Sequence, residues 1–133
     1  MACTSYGSDD ILTPAHWLVE IADEFEPDLN ALPEPVQDEL SAQMVFLRQF
    51  GPALGRPRVD TLKGSRHANM KELRFTAAGG IWRVAFAFDP RRRAILLVAG
   101  NKAGLAERLF YRRRLRKADD RFDSHLARIR ARK

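Results

Sequence analysis

Four side chains of the sequence have the chemistry needed to cleave an RNA phosphodiester. Cleavage without a metal needs a base for the 2′-hydroxyl proton, cations that stabilise charge on the phosphate, and an acid for the leaving oxygen. Glu72 is the candidate base, and Arg83 and Lys102 are the candidate phosphate clamps, since arginine presents a planar fork to phosphate. Tyr111 is the candidate acid, with His67 or a lysine as alternatives, or else a platform on which a base stacks.

Further cations lie close to these positions in the sequence and could bind nucleic-acid phosphates. The candidate RNA-binding residues are Lys63, Arg66, His67, Lys71, Arg74, Arg112 and Arg113. A plainer interpretation stays open, in which Glu72 pairs with Arg74 or Arg83 on a solvated sheet face. The residue pattern alone favours RNA cleavage no more than plain nucleic-acid binding.

The charge of the chain is divided unevenly along its 133 residues. The formal net charge is +6, but residues 1–50 hold ten acidic and one basic side chain, whereas residues 51–133 hold seven acidic and 22 basic ones. With one cysteine and three scattered histidines, the sequence contains no disulfide framework and no zinc-ligand cluster. It has no secretory signal and no apolar run long enough to span a membrane, so we expect a cytoplasmic protein without cofactor or metal.

The hydrophobic periods predict the elements that must position these side chains. Strands alternate with period two, and helices repeat every three to four residues. They predict strands over 16–21, 70–76, 81–88 and 94–99, helices over 23–32, 33–50 and 105–129, and a long connection without a period over 51–69. The order predicts an α+β domain, a small and mostly antiparallel sheet with N-terminal helices and a C-terminal helix. Residues 1–14 are expected to be a flexible tail, and residues 15–133 a single domain.

Alternation along the predicted strands divides the sheet into two faces. Leu73, Phe75, Val84 and Phe86 share one face, which we expect to pack on the helices. The opposite face would then present Glu72, Arg74 and Arg83 away from the core. This non-core face, around Arg83, is the predicted location of the site.

Several of these segments, in this order, resemble the phage Gp49-like/HigB toxin family. The resemblance extends from about residue 17 to residue 126 and is most specific over residues 60–111. It is carried by the runs Asp60-Thr-Leu-Lys-Gly-Ser-Arg66, Asn-Met-Lys-Glu-Leu-Arg74, Trp-Arg-Val-Ala-Phe-Ala-Phe-Asp-Pro-Arg91, Ala-Ile-Leu-Leu-Val-Ala-Gly-Asn-Lys102 and Phe110-Tyr111.

The resemblance implies a RelE/ParE-like fold and the toxin of a type II toxin–antitoxin pair. It also implies a cognate antitoxin partner, typically with a helix-turn-helix domain, and no membrane. HigB- and RelE-like toxins cleave mRNA on the ribosome, whereas ParE-like relatives inhibit DNA gyrase, so the fold alone does not select the activity. A degenerate phage-derived nucleic-acid-binding protein is a third alternative.

The family motifs map onto individual residues of this sequence. By resemblance, Lys63 matches the basic position of the Leu-[Lys/Arg]-Gly motif, and Arg83 matches the phosphate-binding arginine of the central strand. Lys102 falls in the basic loop after the last strand, and Tyr111, or else its neighbour Phe110, falls near the C-terminal aromatic. RelE itself has sheet lysines where this chain has Met70 and Glu72, and a carboxylate base, as in other RNA-cleaving relatives, fits Glu72 better.

Overall fold

A five-stranded sheet with two long helices forms the centre of the structure, a computed structural model that describes residues 17–101 and 107–132. The predicted tail over residues 1–14 and the candidate Lys102 lie outside the described residues. The strands are β1 (Leu18–Ile21), β2 (Val59–Thr61), β3 (Met70–Ala77), β4 (Gly80–Phe88) and β5 (Arg93–Gly100). The helices are α1 (Phe25–Asn30), α2 (Glu34–Phe50) and α3 (Glu107–Ala131). Within the described part of the chain, no helix could cross a membrane.

The sheet has the strand order β1-β5-β4-β3-β2 and is mostly antiparallel, as predicted. Only β1 pairs in parallel, with β5. The three central strands are long, and each pairs with a neighbour on both sides. One register shift interrupts the pairing of β4 with β5 between Ala85 and Phe86. The α+β class predicted from the hydrophobic periods is therefore confirmed.

The prediction that residues 51–69 form one long connection was wrong in one respect, because this segment contains the edge strand β2. Val59 pairs with Leu73, and Thr61 pairs with Lys71, in antiparallel register. A single turn of 3-10 helix, Gly51–Ala53, directly follows α2. A strand of three residues is too short to display a period, so neighbouring β3 defines it rather than its own sequence.

The sheet face that carries Glu72 was expected to lie away from the core, and this was wrong, because the face is buried. Helix α3 covers it: Arg114 of α3 bonds to Glu72, and Phe110 packs against Gly100 of β5. Ala85 and Ala87 of β4 are fully buried, and their small side chains allow the helix to approach the sheet. The end of α2 lies on the opposite face, where Gly51 meets Trp17 and Trp17 packs edge-to-face on Phe88.

Ion pairs join the acidic N-terminal part of the chain to its basic C-terminal part. Arg128 of α3 contacts Glu24 at 3.1 Å, and Arg121 contacts Asp28 of α1 at 2.9 Å. Hydrogen bonds from Arg128, the largest influence, lower the pKa of the Glu24 carboxyl. Arg121 and Arg128, in the C-terminal half of α3, thus form ion pairs within the protein. The N-terminal half exposes Arg112, Arg113, Arg116 and Lys117.

Candidate active site

Glu72 of β3 lies at the centre of a cluster of three arginines. Its Oε1 lies 3.5 Å from Nη2 of Arg74 and 3.9 Å from Nε of Arg83. Its Oε2 accepts a hydrogen bond from Nη2 of Arg114. The cluster of Glu72, Arg74, Arg83 and Arg114, called the arginine cluster below, joins two strands and a helix. Its three arginines and one glutamate give it a net formal charge of +2.

The cluster is buried apart from Arg74. Glu72 is 5% exposed, Arg83 9% and Arg114 4%, whereas the side chain of Arg74 is 45% exposed. Charged groups removed from water need compensating partners, and a net positive cluster attracts an anion. The predicted association of Glu72 with Arg83 is therefore present in the structure, but in a buried cluster rather than on an open face.

A cleft of about 470 Å³ opens beside the arginine cluster. Glu72 and Arg74 of β3 line it, together with Tyr111 of α3. The other lining residues are Asp60, Thr61, Leu62, Lys63, Arg112 and Leu115. The ring of Tyr111 is half-buried and lies 5.8 Å from the guanidinium carbon of Arg83. Sequence candidates from the loop, the sheet and the helix thus meet at one opening.

Lys63 of the Leu-Lys-Gly segment lines this cleft, and the next residue, Gly64, has a backbone conformation that favours glycine. Gly64 has a φ of +92°, in the left-handed region that favours glycine. A Cβ atom at this position would lie 3.2 Å from Cδ2 of Leu115, which also lines the cleft. The glycine therefore lets the loop turn against α3 and leaves the exposed Lys63 at the edge of the cleft.

Arg66 and His67 lie apart from the cleft and hold the same loop to α3. Arg66 lies 3.2 Å from Asp120, and its backbone N–H donates to Asp119 at 3.1 Å. His67 Nε2 lies 2.7 Å from Asp123, whose pKa is lowered chiefly by the hydrogen bond from Arg66. Their contacts with the helix are structural, and their predicted role in RNA binding stays a prediction.

The remaining candidates are distributed around the cleft. Arg112 lines it, and Arg113 lines a second cavity together with Arg114. Lys71 is half-buried and lies on the sheet face opposite to that of Glu72, because it is the next residue in β3. Phe110 is buried against Gly100, so that Tyr111 rather than Phe110 supplies the aromatic ring of the cleft.

Asp60 is the second carboxylate of the cleft, and its surroundings suit it less well to act as a base. The backbone N–H of Thr61, the largest influence, and then Arg56 donate hydrogen bonds that lower the pKa of Asp60. A carboxylate with a lowered pKa is a weaker proton acceptor. It also lies on the exposed edge strand, whereas Glu72 lies against the buried arginines.

Arg114 is the member of the cluster that the sequence candidates missed. In the sequence it stands among the basic residues Arg112, Arg113 and Arg116, and its charge alone does not distinguish it from them. The spacing of four between Phe110, Arg114 and Ala118 places it on the buried stripe of α3, since residues four apart share a helix face. That period could have separated it from the exposed Arg112 and Arg113.

The geometry supplies the parts for acid–base chemistry on a phosphate ester. The carboxylate of Glu72 and the phenol of Tyr111 line one opening, and the buried guanidinium groups of Arg83 and Arg114 lie behind it against Glu72. Fixed donors in a site that excludes water stabilise developing negative charge far better than donors in water. Over residues 17–101 and 107–132, no group of three or more histidine, cysteine or acidic side chains could hold a metal ion.

Comparisons with known proteins relate the chain to a family and to two toxins. The family model described as "Phage derived protein Gp49-like" matches residues 27–123. "Putative toxin HigB2" of Mycobacterium tuberculosis is 48% identical over 100 residues, which are 74% of this chain and 49% of that protein. "Putative toxin HigB3" of the same organism is 43% identical over 97 residues, covering 73% of this chain and 82% of that protein. The chain thus spans about half the length of HigB2.

A solved structure shares the fold. The free state of a mutant of the E. coli toxin RelE superposes with a TM-score of 0.53. The match covers 77% of this chain and 96% of that one, at 12% sequence identity. At this identity the likeness concerns the fold, which agrees with the RelE/ParE-like sheet expected from the sequence.

Proposed function

Since the chain belongs to the phage-derived Gp49-like family, we propose that it is the toxin of a type II toxin–antitoxin pair and cleaves mRNA without a metal ion. The names of the two similar M. tuberculosis proteins support the toxin assignment. The observation that carries the nuclease proposal is the arrangement of Glu72 and Arg83, a buried carboxylate and guanidinium beside a cleft with a basic rim. We further propose that the protein acts in the cytoplasm and on the ribosome.

Each candidate residue has a distinct role in the proposed reaction. Glu72 takes the proton from the 2′-hydroxyl, whose oxygen then attacks the adjacent phosphorus and expels the 5′-oxygen of the next nucleotide. Arg83 stabilises the charge that develops on the phosphate oxygens. Tyr111 protonates the leaving oxygen or stacks on a base, and Lys102 contributes a further phosphate contact. Lys63, Arg74 and Arg112 bind the neighbouring backbone at the rim of the cleft.

The proposed partner is an antitoxin with a helix-turn-helix domain. A protein of that type that neutralises the toxin would account for the survival of a cell that makes both proteins. Co-expression of the protein encoded by the adjacent open reading frame tests this partner. Restored growth and a complex that co-purifies are the expected results, and unrestored growth contradicts the pairing.

Inhibition of DNA gyrase is the alternative activity, and a purified translation extract separates the two. We expect the protein to cut mRNA in the extract at positions that primer extension detects, while gyrase supercoiling continues. Intact mRNA together with inhibited supercoiling would overturn the nuclease proposal. Intact mRNA, active gyrase and normal growth would instead indicate a degenerate nucleic-acid-binding protein.

A further inference from the structure

Arg114 carries hydrogen-bond donors that the folded chain leaves unused. Its Nη2 donates to Glu72, whereas Nε and Nη1 are buried without a hydrogen-bond partner among the described residues. The residue itself is 4% exposed. Buried polar groups are nearly always satisfied, and an unsatisfied guanidinium is a particularly unfavourable group to bury. Nε and Nη1 lie on opposite edges of the guanidinium plane, and each is a charged donor that an anion beside it would satisfy.

Arg83 repeats this pattern a short distance away. Its Nε and Nη1 are also buried without a hydrogen-bond partner in the described part of the chain. Both guanidinium groups contact the same carboxylate, and both lie near the ring of Tyr111, with centroid distances of 5.8 Å for Arg83 and 5.3 Å for Arg114. Among the described residues, Glu72 is the one carboxylate within 4.0 Å of either guanidinium. The two guanidinium groups of Arg83 and Arg114 therefore carry one more positive charge than the carboxylate of Glu72 neutralises.

We propose that Arg83 and Arg114 together bind a single phosphate group. Arg114 bridges Glu72 and the phosphate, because its Nη2 holds the carboxylate while a second nitrogen donates to the phosphate. Glu72 and the phosphate are thereby kept adjacent, as proton transfer from a neighbouring 2′-hydroxyl requires. The phosphate's identity as part of an RNA rests on the proposed function, whereas the anion site itself does not.

A cavity gives an anion access to Arg114. It has a volume of about 140 Å³ and is lined by Arg114 itself. Its basic lining residues are Arg113, Arg114 and Lys117, and its apolar ones are Val98, Ala99 and Phe110. A phosphate displaces only a few waters of about 30 Å³ each. Space and positive charge thus coincide beside Arg114.

Inorganic phosphate tests the proposal without any RNA. Its binding is measured by its effect on the melting temperature of the intact chain. The variant is Arg114→Lys, which keeps a positive charge beside Glu72 but loses the planar fork. The matched control is Arg116→Lys, on the exposed face of the same helix. We expect phosphate to raise the melting temperature of the wild type and the control equally. The Arg114→Lys variant should bind phosphate about tenfold more weakly.

A second measurement covers the case in which Arg114→Lys fails to fold. Arg83→Lys should lose phosphate affinity in the same way, and a short RNA with 2′-O-methyl groups, which cannot be cleaved, should follow the same order by fluorescence anisotropy. Equal phosphate affinity in wild type, Arg114→Lys and Arg83→Lys would overturn the inference. Phosphate binding that depends on both arginines in a protein that leaves mRNA intact would refute the nuclease proposal and support the anion site.

Discussion

Arg74 and Arg83 lie directly opposite each other on β3 and β4. Like charges at such a position destabilise a sheet unless something compensates them. Glu72 does so, since its Oε1 is close to both guanidinium groups. The side chains differ in exposure, at 45% for Arg74 and 11% for Arg83. One of the two therefore faces solvent, and the other belongs to the buried site.

Arg83→Ala should abolish growth inhibition while leaving antitoxin binding intact. The loss of one positioned donor to a developing phosphate charge lowers the rate about 100-fold or more. The fold should persist, because Glu72 keeps Arg114 and Arg74 as partners. Growth of cells that express the variant measures toxicity, and co-purification measures antitoxin binding. Arg74→Ala is the control, with a smaller loss through RNA affinity, and a folded Arg83→Ala protein that stays fully toxic places the site elsewhere.

Glu72→Gln should remove cleavage without weakening RNA binding. The amide cannot accept the 2′-hydroxyl proton, so we expect a loss of about 100-fold or more in cleavage rate. Affinity for uncleavable RNA should stay the same or rise, because the arginine cluster loses its one negative charge. Breaking a buried ion pair also destabilises a fold by about 3 kcal/mol, which urea denaturation would register.

Asp60→Asn is the matched control for Glu72→Gln. It changes the other carboxylate of the same cleft, which is half-exposed and bound to Arg56 at 3.0 Å. Cleavage by this variant should remain close to that of the wild type. If Asp60→Asn, rather than Glu72→Gln, abolishes cleavage, the base has been assigned to the wrong carboxylate.

Gly51→Ala should destabilise the protein strongly. Gly51 ends α2 with a φ of +52° and a ψ of −134°, a conformation that side chains rarely adopt. A Cβ atom there would overlap the indole of Trp17. The backbone strain alone corresponds to about 1–3 kcal/mol. Gly55→Ala is the control, since nothing lies within 4 Å of its added Cβ atom, and equal denaturation midpoints for the two variants would contradict the expectation.

The hydrophobic periods were sufficient to predict the main elements, and the site required information that periods do not contain. Alternation placed Glu72 and Arg83 on one face correctly. It could not reveal that α3 would cover that face, because the same alternation fits a solvated face and a second buried layer. The apolar residues of β5 on both of its faces were the available signal, since such strands are covered on both sides.

The burial of Arg114 on α3 likewise could not be predicted from the charge pattern of the sequence. Its four basic neighbours make the segment resemble a solvated face, and charge composition does not distinguish one arginine from the next. Its burial depends on Glu72, 42 residues earlier in the chain, which supplies the partner for a buried cation. Such a pairing is tertiary and becomes visible only when the strand and the helix are placed together.

Asp89→Asn should weaken the fold at neutral pH more than in acid. Burial raises the pKa of the Asp89 carboxyl, but hydrogen bonds from His125 and Arg93 outweigh it and leave the pKa below its usual value. A lowered folded-state pKa gives stability that is fully present above the unfolded-state pKa and is lost as pH falls through the folded-state pKa. Asparagine keeps an oxygen for the turn N–H groups of Arg91 and Arg93.

The measurement for Asp89→Asn is urea denaturation of both proteins at about pH 7 and about pH 3. The difference in unfolding free energy should be about 3 kcal/mol at the higher pH, as for a broken buried ion pair, and should shrink at the lower pH. A difference that grows in acid would reverse the sign of the linkage and contradict the role given to Asp89.

Arg112→Gln should reduce the salt dependence of RNA binding. Arg112 is exposed and lines the cleft, so a phosphate contact there would release a counterion when RNA binds. Removing one such contact from a single strand lowers the slope of log affinity against log salt by about 0.7. The control is Arg121→Gln, whose guanidinium contacts Asp28 at 2.9 Å. Anisotropy titrations with 2′-O-methyl RNA over a range of salt concentrations measure this slope. We expect a reduced slope for Arg112→Gln alone. Equal slopes for the two variants would show that Arg112 does not contact the RNA.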